Sequence, residues 1–294
     1  MRDIRELGDD PAAYAAELQR RWGGLLSYRY LGRSWQEMDN GPADDTVTVR
    51  HDMRNADGGL LFAVLSISAP ASGGLSDLEA VPNPVIHSCQ VVDPGRDVRR
   101  IRVLSDVLRQ GRQMSYSRSV IVDADNPDRV LALTEGQGAT IGTPPAGLTT
   151  MDVEPIVVVD SPDLPPLWQV LGGRRSADGR WSIGELAVEL ASPDAALHIG
   201  PQFAVLEAAA IDLAASACGT ARLRGVSAHT MFLARGKSGP FRVDGAALPG
   251  RDDTVAVRLV LHDEGESDRP VTAASYTFRI GGPVPPDPPK ALST

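Results

Sequence analysis

Apolar residues recur along this chain in two rhythms. In residues 11–22, Tyr14, Leu18 and Trp22 stand four apart, the spacing of one face of an amphipathic helix. Residues 46–50 alternate as a strand does. Gly58 and Gly59 then open an apolar, helix-like run at 60–67, which Pro70 stops. Residues 77–83 are polar and contain Pro82, so they read as loop. Strand-like runs follow at 85–92, 99–109, 113–123 and 130–141, with turn signals at Gly111 and over 125–128. The pattern predicts helices followed by a meander of long strands.

The pattern then repeats. Residues 142–166 hold several prolines and read as a crossover. Residues 181–190 alternate like a strand. A helical run opens at His198-Ile199-Gly200-Pro201 and closes at Gly219, and strand-like runs return at 225–234, 241–247, 254–262 and 271–280. The two series also share letters. Phe62-Ala63-Val64-Leu65 matches Phe203-Ala204-Val205-Leu206, 141 residues later. In that register Gly59 falls on Gly200, Asp57 on His198 and Ser66 on Glu207. Shared order and shared letters predict an internal duplication: a first unit over 1–145, a crossover over 146–180, a second unit over 181–282, and a Pro-rich tail over 283–294.

Composition narrows the function. The chain has 294 residues and a formal net charge of −9, which argues against a nucleic-acid partner, since those need a basic face. Of the basic residues only Lys237 and Lys290 are lysine, an arginine bias associated with GC-rich bacterial genomes. Cys89 and Cys218 have no partner spacing, so neither a disulfide framework nor a zinc site is expected. The start of the chain lacks the apolar core of a signal peptide, and no run reaches the ~18 apolar residues of a spanning helix. A cytoplasmic protein without membrane partner or metal is expected.

The second helical run carries an anomaly. Phe203, Leu206, Ala210, Leu213 and Ala217 form an apolar stripe, and Glu207 lies on it. A carboxylate buried there must find donors or raise its pKa, and a raised carboxyl in a pocket can serve as a general base. Alternatively, Glu207 sits at the stripe's edge and reaches solvent or an arginine such as Arg222.

His198-Ile199-Gly200 followed by Leu206-Glu207 resembles the His-Gly-Gly-x4-Leu-x-Asp/Glu motif of hotdog-fold acyl-CoA thioesterases of the phenylacetyl-CoA and 4-hydroxybenzoyl-CoA type. Ile199 stands where the family has its first glycine. Gly225-Val226-Ser227 resembles the stretch where family members place a Ser or Thr near the acid. The strand endings at 107–112, 120–123 and 130–132 resemble the family as well. The resemblance covers residues 46–142 and 181–280. It implies an α+β double hotdog, each half a long helix wrapped by an antiparallel sheet, with the active site at the seam between units.

On that footing the catalytic residues are Glu207, Gly59, Ser227, Asn55 and His51. Glu207 activates water or attacks the thioester carbonyl. The Gly59 N–H stabilises the oxyanion, Ser227 bonds Glu207 or the water, and Asn55 or His51 orients water or carbonyl. Gly58, Arg109 and Arg112 are the expected coenzyme A contacts, with Arg235 and Lys237 as further phosphate candidates. The reciprocal site, which would use Ser66, lacks its acid. The implied partner is an acyl-CoA-like substrate, with CoA as part of that substrate, no separate cofactor, and a possible homo-oligomer of double hotdogs. Two other readings stay open. In one the chain binds acyl-CoA without hydrolysing it; in the other Asp194 and His198 form the acid–base pair of a hydratase-type hotdog, although the Asn-Pro of that motif is missing.

Overall fold

A computed structural model describes residues 3–32, 46–69, 81–142, 156–251 and 253–281. The expected loop over 77–80, the middle of the crossover (143–155) and the tail from 282 lie outside the described residues. The helices are α1 (Pro11–Gly23), α2 (Leu26–Tyr30), α3 (Phe62–Ser68), α4 (Leu167–Val170) and α5 (Ile199–Cys218). Asp10 caps α1, with Pro11 in its first turn. Gly219, at φ 69°, ends α5 in the left-handed cap that glycine favours.

The strands are β1 (Thr46–Thr48), β2 (Val81–Val91), β3 (Arg100–Gln110), β4 (Met114–Asp123), β5 (Asn126–Gly142), β6 (Gly173–Arg175), β7 (Trp181–Ile183), β8 (Ala191–Ser192), β9 (Ala196–Leu197), β10 (Leu223–Phe232), β11 (Phe241–Pro249), β12 (Thr254–Asp263) and β13 (Arg269–Ile280). Among the described residues, eleven form one antiparallel sheet in the order β1-β3-β4-β5-β2-β10-β13-β12-β11-β7-β6. The α+β class and the antiparallel meanders stand as expected.

Two strand boundaries differ from the sequence pattern. Val81, Pro82 and Asn83 belong to β2, because residues 81–91 pair along β5. In 181–190 only Trp181–Ile183 pairs, against β6 and β11. The chain then leaves the sheet, and Val188–Leu190 forms a 3-10 turn.

β2 and β10 join the two series, and their register bears on duplication. Ser88 pairs with His229, Cys89 with Ala228, and His87 with Thr230. Ser88 and His229 are themselves 141 apart. A two-fold relation with that offset must place one equivalent pair on its axis, and this pair occupies it. The pairs on either side then exchange.

Side chains alternate across a sheet, so residues directly opposite one another share a face. Thr134, Cys89, Ala228, Tyr276 and Val257 form such a row across five strands, and all are buried. This face receives the helices. Phe62 of α3 packs its ring on Tyr276 and Phe278 at centroid distances of 5.9 and 6.2 Å. α5 lies beside α3 and over β11, β12 and β13.

The amino-terminal segment covers the start of α5. Ser27 Oγ lies 3.0 Å from His198 Nδ1, and Tyr28 meets the His198 ring edge-on at 5.2 Å. A Cβ on Gly200 would fall 2.4 Å from Ser27 Cβ, so only glycine admits this approach. Arg21 donates to the Pro193 carbonyl at 2.6 Å, and Lys237 bonds Asp3 at 3.1 Å, fastening the segment to the β8–β9 corner.

Candidate active site

Glu207 lies in the third turn of α5 and is 2 % exposed. Its Oε1 accepts the Phe62 N–H and its Oε2 the Ala63 N–H, both at 2.8 Å. These are the first two residues of α3. The first N–H groups of a helix have no partner within it, and the residue before α3, Leu61, supplies no side-chain cap. Glu207 thus caps α3 from the other half of the chain. Burial pushes its carboxyl up to about 7, against the pull of the two N–H groups toward the charged form. Each carboxylate oxygen keeps a second lone pair.

The equivalent position in the first half cannot repeat this arrangement. Ser66 occupies it, and the facing helix begins at Ile199, four residues ahead of Phe203, the counterpart of Phe62. An N–H four residues into an α-helix bonds to the first carbonyl of that helix. The longer start of α5 thus engages the donors that α3 leaves free.

A cavity of about 570 Å³ opens on Glu207. Its floor is one face of α5, with Ala204, Ala208, Ile211 and Ala215. One wall is the 51–56 loop with Leu61, the other is Trp168 and Trp181, and Pro162, Leu164 and Pro166 of the crossover roof it. Asp160 anchors this roof by accepting the His51 N–H at 2.8 Å, with His51 Nδ1 3.2 Å away.

The sequence-derived site residues divide. Glu207, Asn55 and His51 all line this cavity. Asn55 Oδ1 accepts the N–H groups of Asp57 and Gly59, each at 3.0 Å. That fixes the amide's orientation, and its Nδ2 reaches the Leu223 carbonyl at 3.3 Å with a second N–H to spare. The Gly59 N–H is therefore spent within its own turn, and the expected oxyanion role does not fit it. Gly58, at φ 81°, makes that turn possible but does not line the cavity.

Ser227 does not reach Glu207. It stands directly opposite Gln90 and Thr277, on the alternate positions from Cys89, Ala228 and Tyr276. Its side chain is thus on the sheet face away from the helices. Arg109 lies at the end of β3 and Arg112 in the turn after it; both are exposed, and β4, β5 and β2 separate β3 from β10. Neither lines the cavity.

The hydratase-type pair does not form either. Asp194 is held by Arg235 at 2.6 and 2.8 Å and by Ser192 at 2.6 Å. His198 Nδ1 takes the Gly200 N–H at 3.3 Å and faces Ser27, and burial lowers its pKa to about 3. Lys237 and Arg235 serve this same corner. Sequence reasoning missed the Phe62 and Ala63 N–H groups, the indole wall and Asp160. Among the described residues no cluster has metal-ligating composition, and no helix is long and apolar enough to cross a membrane.

No family model matches the chain, and no curated protein sequence matches it. Solved structures do match over most of its length. A conserved hot dog fold protein from Alicyclobacillus acidocaldarius is 11% identical, with a TM-score of 0.55, covering 84% of this chain and 98% of that one. An acyl-CoA thioesterase II from Mycobacterium marinum is 12% identical at TM-score 0.52, covering 78% and 92%. A tesB protein from Mycobacterium avium subsp. paratuberculosis is 12% identical at TM-score 0.52, covering 84% and 98%. The chain has the hotdog fold. Within that fold, the candidate site is a buried carboxylate, Glu207, where α5 meets the start of α3.

Proposed function

We propose that this protein hydrolyses an acyl thioester, of the acyl-CoA class, at the Glu207 seam, with one site per chain. The observation that carries the reading is a carboxyl group with its pKa near neutrality at the inner end of an apolar cavity. Such a group can exchange a proton with water at physiological pH. Glu207 would take a proton from water as the water oxygen attacks the thioester carbonyl. The second Asn55 Nδ2–H would bond the carbonyl oxygen as charge develops on it. As the adduct collapses and the C–S bond breaks, Glu207 would return its proton to the leaving sulfur, releasing the thiol and the acid and regenerating the carboxylate. His51, on the wall of the cavity, would help to order the water. Similarity to proteins named thioesterases supports the substrate class. In domain terms the reading assigns residues 1–145 and 181–282 to the two hotdog units and 146–180 to the crossover.

One observation favours a second reading, a protein that binds acyl-CoA without cleaving it. Both Glu207 oxygens already accept a hydrogen bond, and capping α3 is sufficient reason for a carboxylate there. Free-thiol release from a panel of acyl-CoA esters, run beside equilibrium binding of the same compounds, separates the two. Hydrolysis by the wild type and its loss in Glu207→Gln, with binding retained, supports the enzyme. Binding without thiol release supports the carrier.

A further inference from the structure

The wall of the cavity facing the 51–56 loop is built from two indoles. Trp168, on α4, and Trp181, on β7, meet at 4.8 Å with an interplanar angle of 80°. Side-chain bonds hold the assembly in place. Trp181 donates its indole N–H to Asp212 of α5 at 3.0 Å, Arg175 bonds both oxygens of the same carboxylate at 3.0 and 3.2 Å, and the Arg175 guanidinium lies 5.9 Å over the Trp181 ring. Trp181 is 7% exposed, whereas Trp168 is only partly buried, and both line the cavity. A ring held this way presents a rigid apolar surface at little entropic cost to a ligand.

The part of the lining that α5 supplies is rich in small side chains. Ala204 and Ala215, with Ala208 between them on the floor, are eleven residues apart, about 16 Å of helix. A cavity of about 570 Å³ spread over that length is broader than one extended polymethylene chain fills. Trp181 has spent its N–H on Asp212, and the charged residues that also line the space are engaged, Asp52 with Arg50, Arg175 with Asp212, and Arg54 with the Gly58, Gly95 and Val98 carbonyls, while Leu61, Leu164, Ile211 and the alanines present carbon side chains. Such a lining suits the hydrocarbon half of a thioester and not an amide-bearing thiol arm.

Resting on the thioester reading, we propose that Trp168 is a specificity-determining residue, selecting acyl groups that carry a ring or a branch over long straight chains. The ring or branch lies against the indole, over the floor that Ala208 leaves open. Cutting back the indole widens the slot and removes its flat wall. A larger side chain at position 208 narrows it from the floor.

The experiment measures kcat/KM for thiol release from phenylacetyl-, 3-methylbutanoyl-, octanoyl- and dodecanoyl-CoA with wild type, Trp168→Ala, Trp168→Phe and Ala208→Leu. Dissociation constants of the matching non-hydrolysable thioethers are measured alongside. The wild type should favour phenylacetyl over dodecanoyl at least tenfold. Trp168→Ala should erase that ratio, Trp168→Phe should retain most of it, and Ala208→Leu should lower binding of the branched and aryl compounds more than that of octanoyl. If Trp168→Ala fails to fold, Ala208→Leu and Trp168→Phe still read the slot. A wild-type preference for dodecanoyl, or a rank order unchanged in the variants that fold, overturns the proposal. If no ester is cleaved, hydrolysis fails as the function, and the thioether constants still decide the selectivity. Absence of any binding overturns both.

Discussion

Glu207 carries two kinds of cost, and each can be measured. Its folded pKa, raised from 4.5 to about 7, means that the native state holds a proton the unfolded chain has lost. Stability from this group is fully present below the unfolded value and disappears as pH rises through about 7. A shift of that size is worth about 3 kcal/mol as an order of magnitude. His87 and His198 act in the opposite sense. Burial lowers them to about 4 and about 3, so their contribution is lost as pH falls from the unfolded histidine value toward those numbers. The Glu207 effect is therefore best isolated as a difference. The unfolding free energy of Glu207→Gln minus that of wild type should increase by a few kcal/mol between pH 5 and pH 8, followed by urea denaturation; a constant difference would contradict a raised Glu207. A second residue-level expectation concerns the thiols. Burial and the nearby Glu207 charge raise the Cys89 thiol well above its usual range, while Cys218 is partly exposed near the end of α5. In native protein a maleimide should modify Cys218 and leave Cys89 intact until denaturant is added; rapid labelling of both thiols would refute that environment.

At the scale of elements, the account turns on how α3 is capped. Removing the carboxylate in Glu207→Ala leaves two buried N–H groups unpaired and should cost about 2–5 kcal/mol in unfolding free energy at pH 5. A loss under 0.5 kcal/mol would mean that α3 caps itself. The stripe of α5, its start at Ile199 and its stop at Gly219 were legible, because helix periodicity and end signals act within one turn. The anomaly of Glu207 on that stripe was legible for the same reason. The true donors were not. The glycines at 58 and 59 suggested a helix start there, but Asn55 folds them into a separate turn and α3 begins at Phe62. Ser227 was assigned to the acid from family resemblance alone, and nothing local in its segment says which face it takes. Its position follows from the register against β2 and β13, a tertiary fact. Trp168 and Trp181 were visible as letters, but their meeting depends on how the crossover returns over α5.

For the whole molecule, the two strand series share one sheet across β2 and β10 but differ where their helices meet. One seam carries a buried acid and a cavity. At the other, α5 begins a turn earlier, Ser66 replaces the acid, and Ser27 and Tyr28 pack on His198. A calorimetric titration with a non-hydrolysable acyl-CoA thioether should therefore saturate at one equivalent per chain, and two equivalents would contradict the asymmetry. The central claim is that Glu207 moves the proton in hydrolysis, and the pH dependence of kcat/KM for thiol release tests it most directly. Wild type should rise with pH through about 7 and then level off, while Glu207→Gln should fall at least a hundredfold and lose that inflection. A variant that keeps wild-type turnover with the same pH profile would contradict the account.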